Sequence, residues 1–60
     1  MQYHEDGSVT FETGDYVGDS VTGIERFGEV IKSDGEYLLV SSDGGEKNVW
    51  EVLEADVYPG

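Results

Sequence analysis

"SDGEYLLVSSDGGEKNVWEV", Ser33 to Val52, sets two turn signals around a short apolar run and carries the chain's only tryptophan. Asp34-Gly35 reads as a two-residue hairpin turn of type I′, in which both central residues need positive φ. "EYLLVS" (Glu36–Ser41) is then the return strand, "SDGGE" (Ser42–Glu46) a longer turn, and "KNVWEVL" (Lys47–Leu53) the next strand. "FGEVIKS" (Phe27–Ser33) leads into the hairpin, so the stretch closes a three-stranded antiparallel meander. Alternation assigns its faces. If Gly28 and Val30 face in, they meet Leu38 and Val40, while Phe27, Glu29, Ile31, Tyr37 and Leu39 take the other side. That other side is too apolar to be wholly wet. A sheet with two partly apolar faces is expected to curl rather than lie flat with open edges.

Upstream, "SVTFET" (Ser8–Thr13) sends Val9 and Phe11 one way and Ser8, Thr10 and Glu12 the other, the period of a half-buried strand. Gly14-Asp15 turns the chain into "YVGDSV" (Tyr16–Val21), where Gly18 marks a bulge or a sharp bend. "TGIER" (Thr22–Arg26) reads as a loop. "EAD" (Glu54–Asp56) is expected to make one helical turn before "VYPG". Residues 1–7 read as a loose lead and residues 8–60 as one domain. The expected architecture is all-β, a small five- or six-stranded antiparallel barrel.

Sixty residues allow one domain. A chain of this size buries only about 60% of the surface its unfolded form exposes, so its core is small. Cysteine is absent, which removes disulfides and Cys-based zinc sites. His4 is the sole histidine and cannot build a metal site alone, and no metal or cofactor is expected. No apolar run approaches the roughly 20 residues of a membrane span. No signal-peptide pattern opens the chain, and a cytoplasmic protein, monomeric because of its charge, is the expectation.

Fourteen acidic residues face Arg26, Lys32 and Lys47, for a formal net charge of -11. Such a surface repels phosphate backbones and anionic lipid, so direct binding to nucleic acid or membrane is disfavoured. Three readings of the acidity stay open: solubility, adaptation to high internal salt, or a working surface that steers a basic partner. Seven aromatics and regular alternation argue for a folded chain despite the charge.

No Ser-His-Asp or Cys-His set, phosphate loop or dinucleotide fingerprint occurs, and a chain this small has little room for a desolvated cleft. No enzyme activity is expected. "DGGEKN" (Asp43–Asn48) places oxygens by a glycine turn but lacks EF-hand spacing, and reads as a solvated hairpin loop. Trp50 either caps the core or joins Tyr16, Tyr37 and Tyr58 in a contact patch at the rim, where Trp and Tyr offer area with a polar handle.

"TGDYV" followed by "RFGEVIKSDGEYLLVSSDGGEKNVWEVLEADVYP" resembles the small Src-homology-3-like barrels, including their Tudor and KOW-type variants. The resemblance rests on Gly14, Asp15 and Val17, on Gly28 and Val30, on Leu38 and Val40, on Trp50, and on the short turn Leu53–Val57 before a last strand. It covers about three-quarters of the chain and carries no catalytic signature. It implies a barrel, and in its Tudor-like form an aromatic cage for a methylated cation, with Glu51 or Asp43 as acidic neighbour. KOW-type modules that bind nucleic acid are basic, and this chain is the reverse.

Two function classes follow. One is a non-enzymatic interaction module docking on a basic protein. In its sharpest form it is a phage- or plasmid-type inhibitor whose carboxylates imitate DNA phosphates. Asp15, Asp19, Glu25, Glu29, Asp43, Glu46, Glu51, Glu54 and Asp56 are the candidate acidic surface. The other is a structural or assembly barrel of haloarchaeal type, whose acidity serves high salt alone.

Overall fold

The hairpin at the centre of the chain carries a parity conflict that its sequence resolves. A computed structural model describes residues 1–60. In it β4 (Arg26–Asp34) pairs with β5 (Tyr37–Ser41), with Asp34 opposite Tyr37. The two loop residues are therefore Gly35 and Glu36, not Asp34 and Gly35. Gly35 has φ 64° and no non-glycine residue has positive φ, the pattern of a II′ turn rather than I′.

Any two-residue turn pairs residues whose numbers sum to an odd value, here 34 with 37. Burying Val30 against Val40 needs an even sum, because directly opposite residues share a face. A β-bulge between Val30 and Lys32 supplies the one-residue slip. Beyond it Val30 faces Val40 and Glu29 faces Ser41. Without the bulge, Lys32 would point into the core; with it, Lys32 sits opposite Leu39 on the outer face. Gly28, Val30, Leu38 and Val40 are all buried, as alternation predicts.

The remaining strands are β1 (Gln2–Tyr3), β2 (Val9–Thr10), β3 (Tyr16–Asp19), β6 (Val49–Leu53) and β7 (Tyr58–Pro59), with a 3₁₀ turn at Glu54–Asp56. The chain is all-β, and this turn is its one helical element. Five antiparallel strands form one sheet in the order β6-β5-β4-β3-β7, and β1 and β2 form a separate pair. The expected closed barrel is not formed by backbone ladders, since none joins β6 to β7. β7 is two residues long and ends in Pro59, which has no N–H to extend a ladder.

The expected strand over Ser8–Thr13 is shorter and pairs elsewhere. Only Val9–Thr10 is extended, and it meets Gln2–Tyr3 of the lead rather than the large sheet. Phe11 nonetheless enters the core. Its N–H donates to Glu54 Oε2 at 3.0 Å, which pins the segment to the 3₁₀ turn. The core is Phe11, Val17, Val30, Leu38, Val40 and Val52, flanked by Val9, Trp50 and Val57. Gly28 permits its tight curl: a Cβ there would stand 2.4 Å from the Ser41 carbonyl oxygen.

Candidate functional site

Alternation along β3 turns Val17 and Asp19 inward and Tyr16 and Gly18 outward. Asp19 was expected on the acidic surface; it is instead 1% exposed. A carboxylate so placed needs partners, and it has them. Arg26 Nη2 and Nε donate to Oδ1 at 2.9 and 3.3 Å, and the Val21 N–H donates to the same oxygen at 3.2 Å. Trp50 Nε1 donates to Oδ2 at 2.9 Å. The Arg26 guanidinium also lies 4.7 Å from the centre of the Trp50 ring. Burial opposes the charge on Asp19, but the hydrogen bonds from Arg26, Trp50 and Val21 outweigh it and hold its pKa below the ordinary value. This cluster links β3 to β6 by side chains where no ladder does. It is a structural clasp, and it takes Trp50 out of the expected contact patch.

The outer face of the same strands carries the second feature. Tyr16 stacks on Phe27 with centroids 6.2 Å apart and planes 10° from parallel. Phe27 meets Tyr58 edge-on, also at 6.2 Å. Gly18 makes this possible: a Cβ on it would stand 2.6 Å from Phe27 Cε1 and 2.9 Å from Tyr58 Cε1. The result is an aromatic ridge over β3, β4 and β7, with Tyr16 60% and Phe27 39% exposed. Carboxylates edge it. Tyr58 Oη donates to Glu25 Oε2 at 2.8 Å, which raises the phenol pKa above 10.0. Glu29 lies directly opposite Tyr16 in the ladder. The loop before β4 adds Val21 and Ile24, both largely exposed.

Of the expected aromatic patch, Tyr16 and Tyr58 come together, and Trp50 and Tyr37 do not join them. Tyr37 sits at the turn end of the β4–β5 hairpin, opposite Asp34 and Leu53. Phe27 is the member the sequence reading left out, although alternation had already placed it on the outer face.

The acidic candidates also divide. Asp15 Oδ2 accepts the Glu12 N–H at 2.8 Å and pairs with the chain's N-terminal amine at 3.1 Å. Asp43 Oδ1 accepts the Gly45 N–H at 2.9 Å and its Oδ2 the Asn48 side-chain amide at 3.3 Å, closing the β5–β6 loop. Glu54 holds Phe11. These carboxylates work inside the fold. Glu29, Glu46, Glu51 and Asp56 are exposed. No three His, Asp or Glu side chains converge as a metal-binding set, and no helix is long and apolar enough to cross a membrane. Comparison with known protein families, curated proteins and solved structures finds no match to this chain.

Proposed function

We propose that this chain is a non-enzymatic interaction module that docks on a basic protein through the Tyr16–Phe27–Tyr58 ridge. The observation that carries the reading is the ridge itself: exposed Tyr16 stacked on exposed Phe27, half-buried Tyr58 edge-on to it, and Glu25 and Glu29 at their edge, on a chain of net charge -11. Aromatic faces take guanidinium and ammonium groups, and adjacent carboxylates raise the local preference for cations. The broader form is better supported than the DNA-mimic form. Asp19 is interior, and Asp15, Asp43 and Glu54 tie backbone donors. Eleven of the fourteen acidic residues stay exposed, but part of the candidate set serves the fold rather than a phosphate-like array. Inhibition of a DNA-binding protein remains one way in which such docking acts.

The fold reading that accompanies this is a Src-homology-3-like arrangement. Support comes from the strand order, the 3₁₀ turn before the last strand, and the antiparallel return of β7 to β3.

The test is affinity capture on the immobilised chain, beside a Tyr16→Ser, Phe27→Ser variant that stays folded by its Trp50 fluorescence. A basic protein should bind the parent, elute as salt shortens the Debye length to a few ångströms at about 1 M, and be lost from the variant. Recovery of only neutral proteins, or equal capture by the variant, removes the proposal.

A further inference from the structure

β6 lies at one end of the large sheet, and its outer edge is unpaired. Ser42 N–H donates to Asn48 carbonyl oxygen at 3.0 Å, and Glu54 N–H to Glu36 carbonyl oxygen at 2.8 Å. Between these two bonds the β5–β6 register is unbroken, from Ser41 opposite Val49 to Tyr37 opposite Leu53. Backbone groups in an antiparallel ladder alternate in direction. Asn48, Trp50 and Val52 therefore turn theirs toward β5. Val49 and Glu51 turn both N–H and carbonyl groups to the open edge, and Leu53 turns its N–H there.

The two ends of the sheet are not alike. β7 is a two-residue strand with a proline, a blunted edge. β6 is five residues long, contains no proline or bulge, and carries one charge, Glu51. On the outer face its side chains read Val49, Glu51, Leu53: half-buried, exposed, half-buried. A groove of about 350 Å³ lined by Ile31, Leu39 and Val49, with both Glu46 and Lys32 at its wall, lies beside the Val49 end and offers its apolar floor, rather than a net charge, to the occupant.

We infer that the free edge of β6 accepts an extended, basic segment of a partner protein by strand addition. Exposed edges recruit strands through main-chain hydrogen bonds, and side-chain pockets then set specificity. Charge selects the occupant. In an antiparallel pair of two copies centred on the strand, Glu51 would face Glu51, between chains of net charge -11 each; like charges directly opposite are destabilising. A Lys or Arg at that position makes a favourable cross-strand pair instead. Glu51 thus excludes a second copy and selects a cation. The recognised pattern is an alternating one, with apolar residues opposite Val49 and Leu53 and a basic residue opposite Glu51. Lys47, just before the strand, is the only cation flanking it in sequence. The edge shares with the ridge the charge of its partner and stands at the opposite end of the strand order, although the Trp50–Asp19 bond ties β6 to β3 by side chains.

The probe is a short acetylated peptide in which valine and threonine alternate around one central arginine, with a central-glutamate peptide as control. Amide hydrogen exchange and chemical shifts are followed by NMR. Arginine peptide should slow exchange at Val49, Glu51 and Leu53 and leave the Tyr16 and Phe27 signals unmoved. The glutamate peptide should bind about threefold to tenfold more weakly, the range of one cross-strand charge pair made or reversed. Glu51→Lys should invert that preference. No protection at the three amides, protection with no dependence on the central charge, or self-association of the parent chain through these amides overturns the proposal. Shifts at Tyr16 and Phe27 alone would overturn it while leaving the ridge reading intact.

Discussion

Trp50 Nε1 and Asp19 Oδ2 are 2.9 Å apart although their strands are separated by two others in the sheet. The sheet has coiled far enough that its first strand and its edge strand touch through side chains. Arg26 completes the contact from beneath the indole. The curl that backbone ladders leave open is thus held by one buried carboxylate.

Replacing that carboxylate should therefore loosen the whole sheet. Asp19→Ala is expected to cost about 1.5–3 kcal/mol, the range for hydrogen bonds to a charged group. Chemical denaturation followed by Trp50 fluorescence measures it. Asp19→Asn keeps the shape and loses the charge, and it isolates the pH dependence. Because the folded pKa of Asp19 lies below the ordinary 3.8, its contribution is fully present above the unfolded value and is lost as pH falls through the folded value. The stability gap between parent and Asp19→Asn should be constant at neutral pH and narrow below about pH 4. A gap that widens on acidification would contradict the clasp.

Two glycines make opposite forecasts. At Gly28 an added Cβ meets backbone, the Ser41 carbonyl oxygen at 2.4 Å, which cannot move without parting β4 from β5. Gly28→Ala should destabilise by about 1–3 kcal/mol, as overpacked cores do. At Gly18 the Cβ meets the rims of the exposed Phe27 and the half-buried Tyr58, side chains that can shift where backbone cannot. Gly18→Ala should cost less than half as much, yet break the ridge and with it capture of the basic partner. Equal destabilisation by both would mean that the ridge is part of the folding core.

What the sequence made legible follows from local rules. Alternation correctly turned Val30, Leu38 and Val40 inward and Phe27 outward, and the 3₁₀ turn stands where "EAD" was read. Arithmetic between elements was harder. The turn lies one residue later than Asp34-Gly35 implied, and the bulge at Ile31 corrects the register; neither is visible until the two strands are counted against each other. Asp19 was hidden for another reason. In sequence it is one carboxylate among fourteen acidic residues. Its burial depends on Trp50, 31 positions away, and on Arg26 across a loop. The fate of Tyr16, Tyr58 and Tyr37 likewise rests on how far the sheet coils.

Glu54 ties the amino-terminal segment to the 3₁₀ turn through the Phe11 N–H, beside the Met1 amine–Asp15 pair and the packing of Val9 and Phe11 in the core. Glu54→Ala should cost about 1 kcal/mol or somewhat more and should release residues 1–10 before the sheet unfolds. The Phe11 amide then exchanges faster than those of Val30 and Val40 in native-state hydrogen exchange. Uniform acceleration across all three amides would show instead that the segment and sheet open as one unit.

Salt tests one of the three meanings of the acidity, adaptation to brine. Screening between exposed charges is nearly complete well below molar salt, because the Debye length is already about 10 Å at 0.1 M and about 3 Å at 1 M. Five carboxylates, on Asp6, Asp15, Asp19, Asp43 and Glu54, accept backbone N–H groups and so support turns and contacts in the fold directly. A chain tied in this way is expected to hold its shape without brine. A thermal melt followed by Trp50 fluorescence should be cooperative in about 0.1 M potassium chloride and should gain little between about 0.5 and 2 M. The high-salt reading then falls, and a basic partner becomes the leading reason for an acidic surface beside plain solubility. Stability still climbing at 2 M, from a chain unfolded at 0.1 M, would assign the charge to high-salt hydration and remove the net charge as an argument for a basic partner.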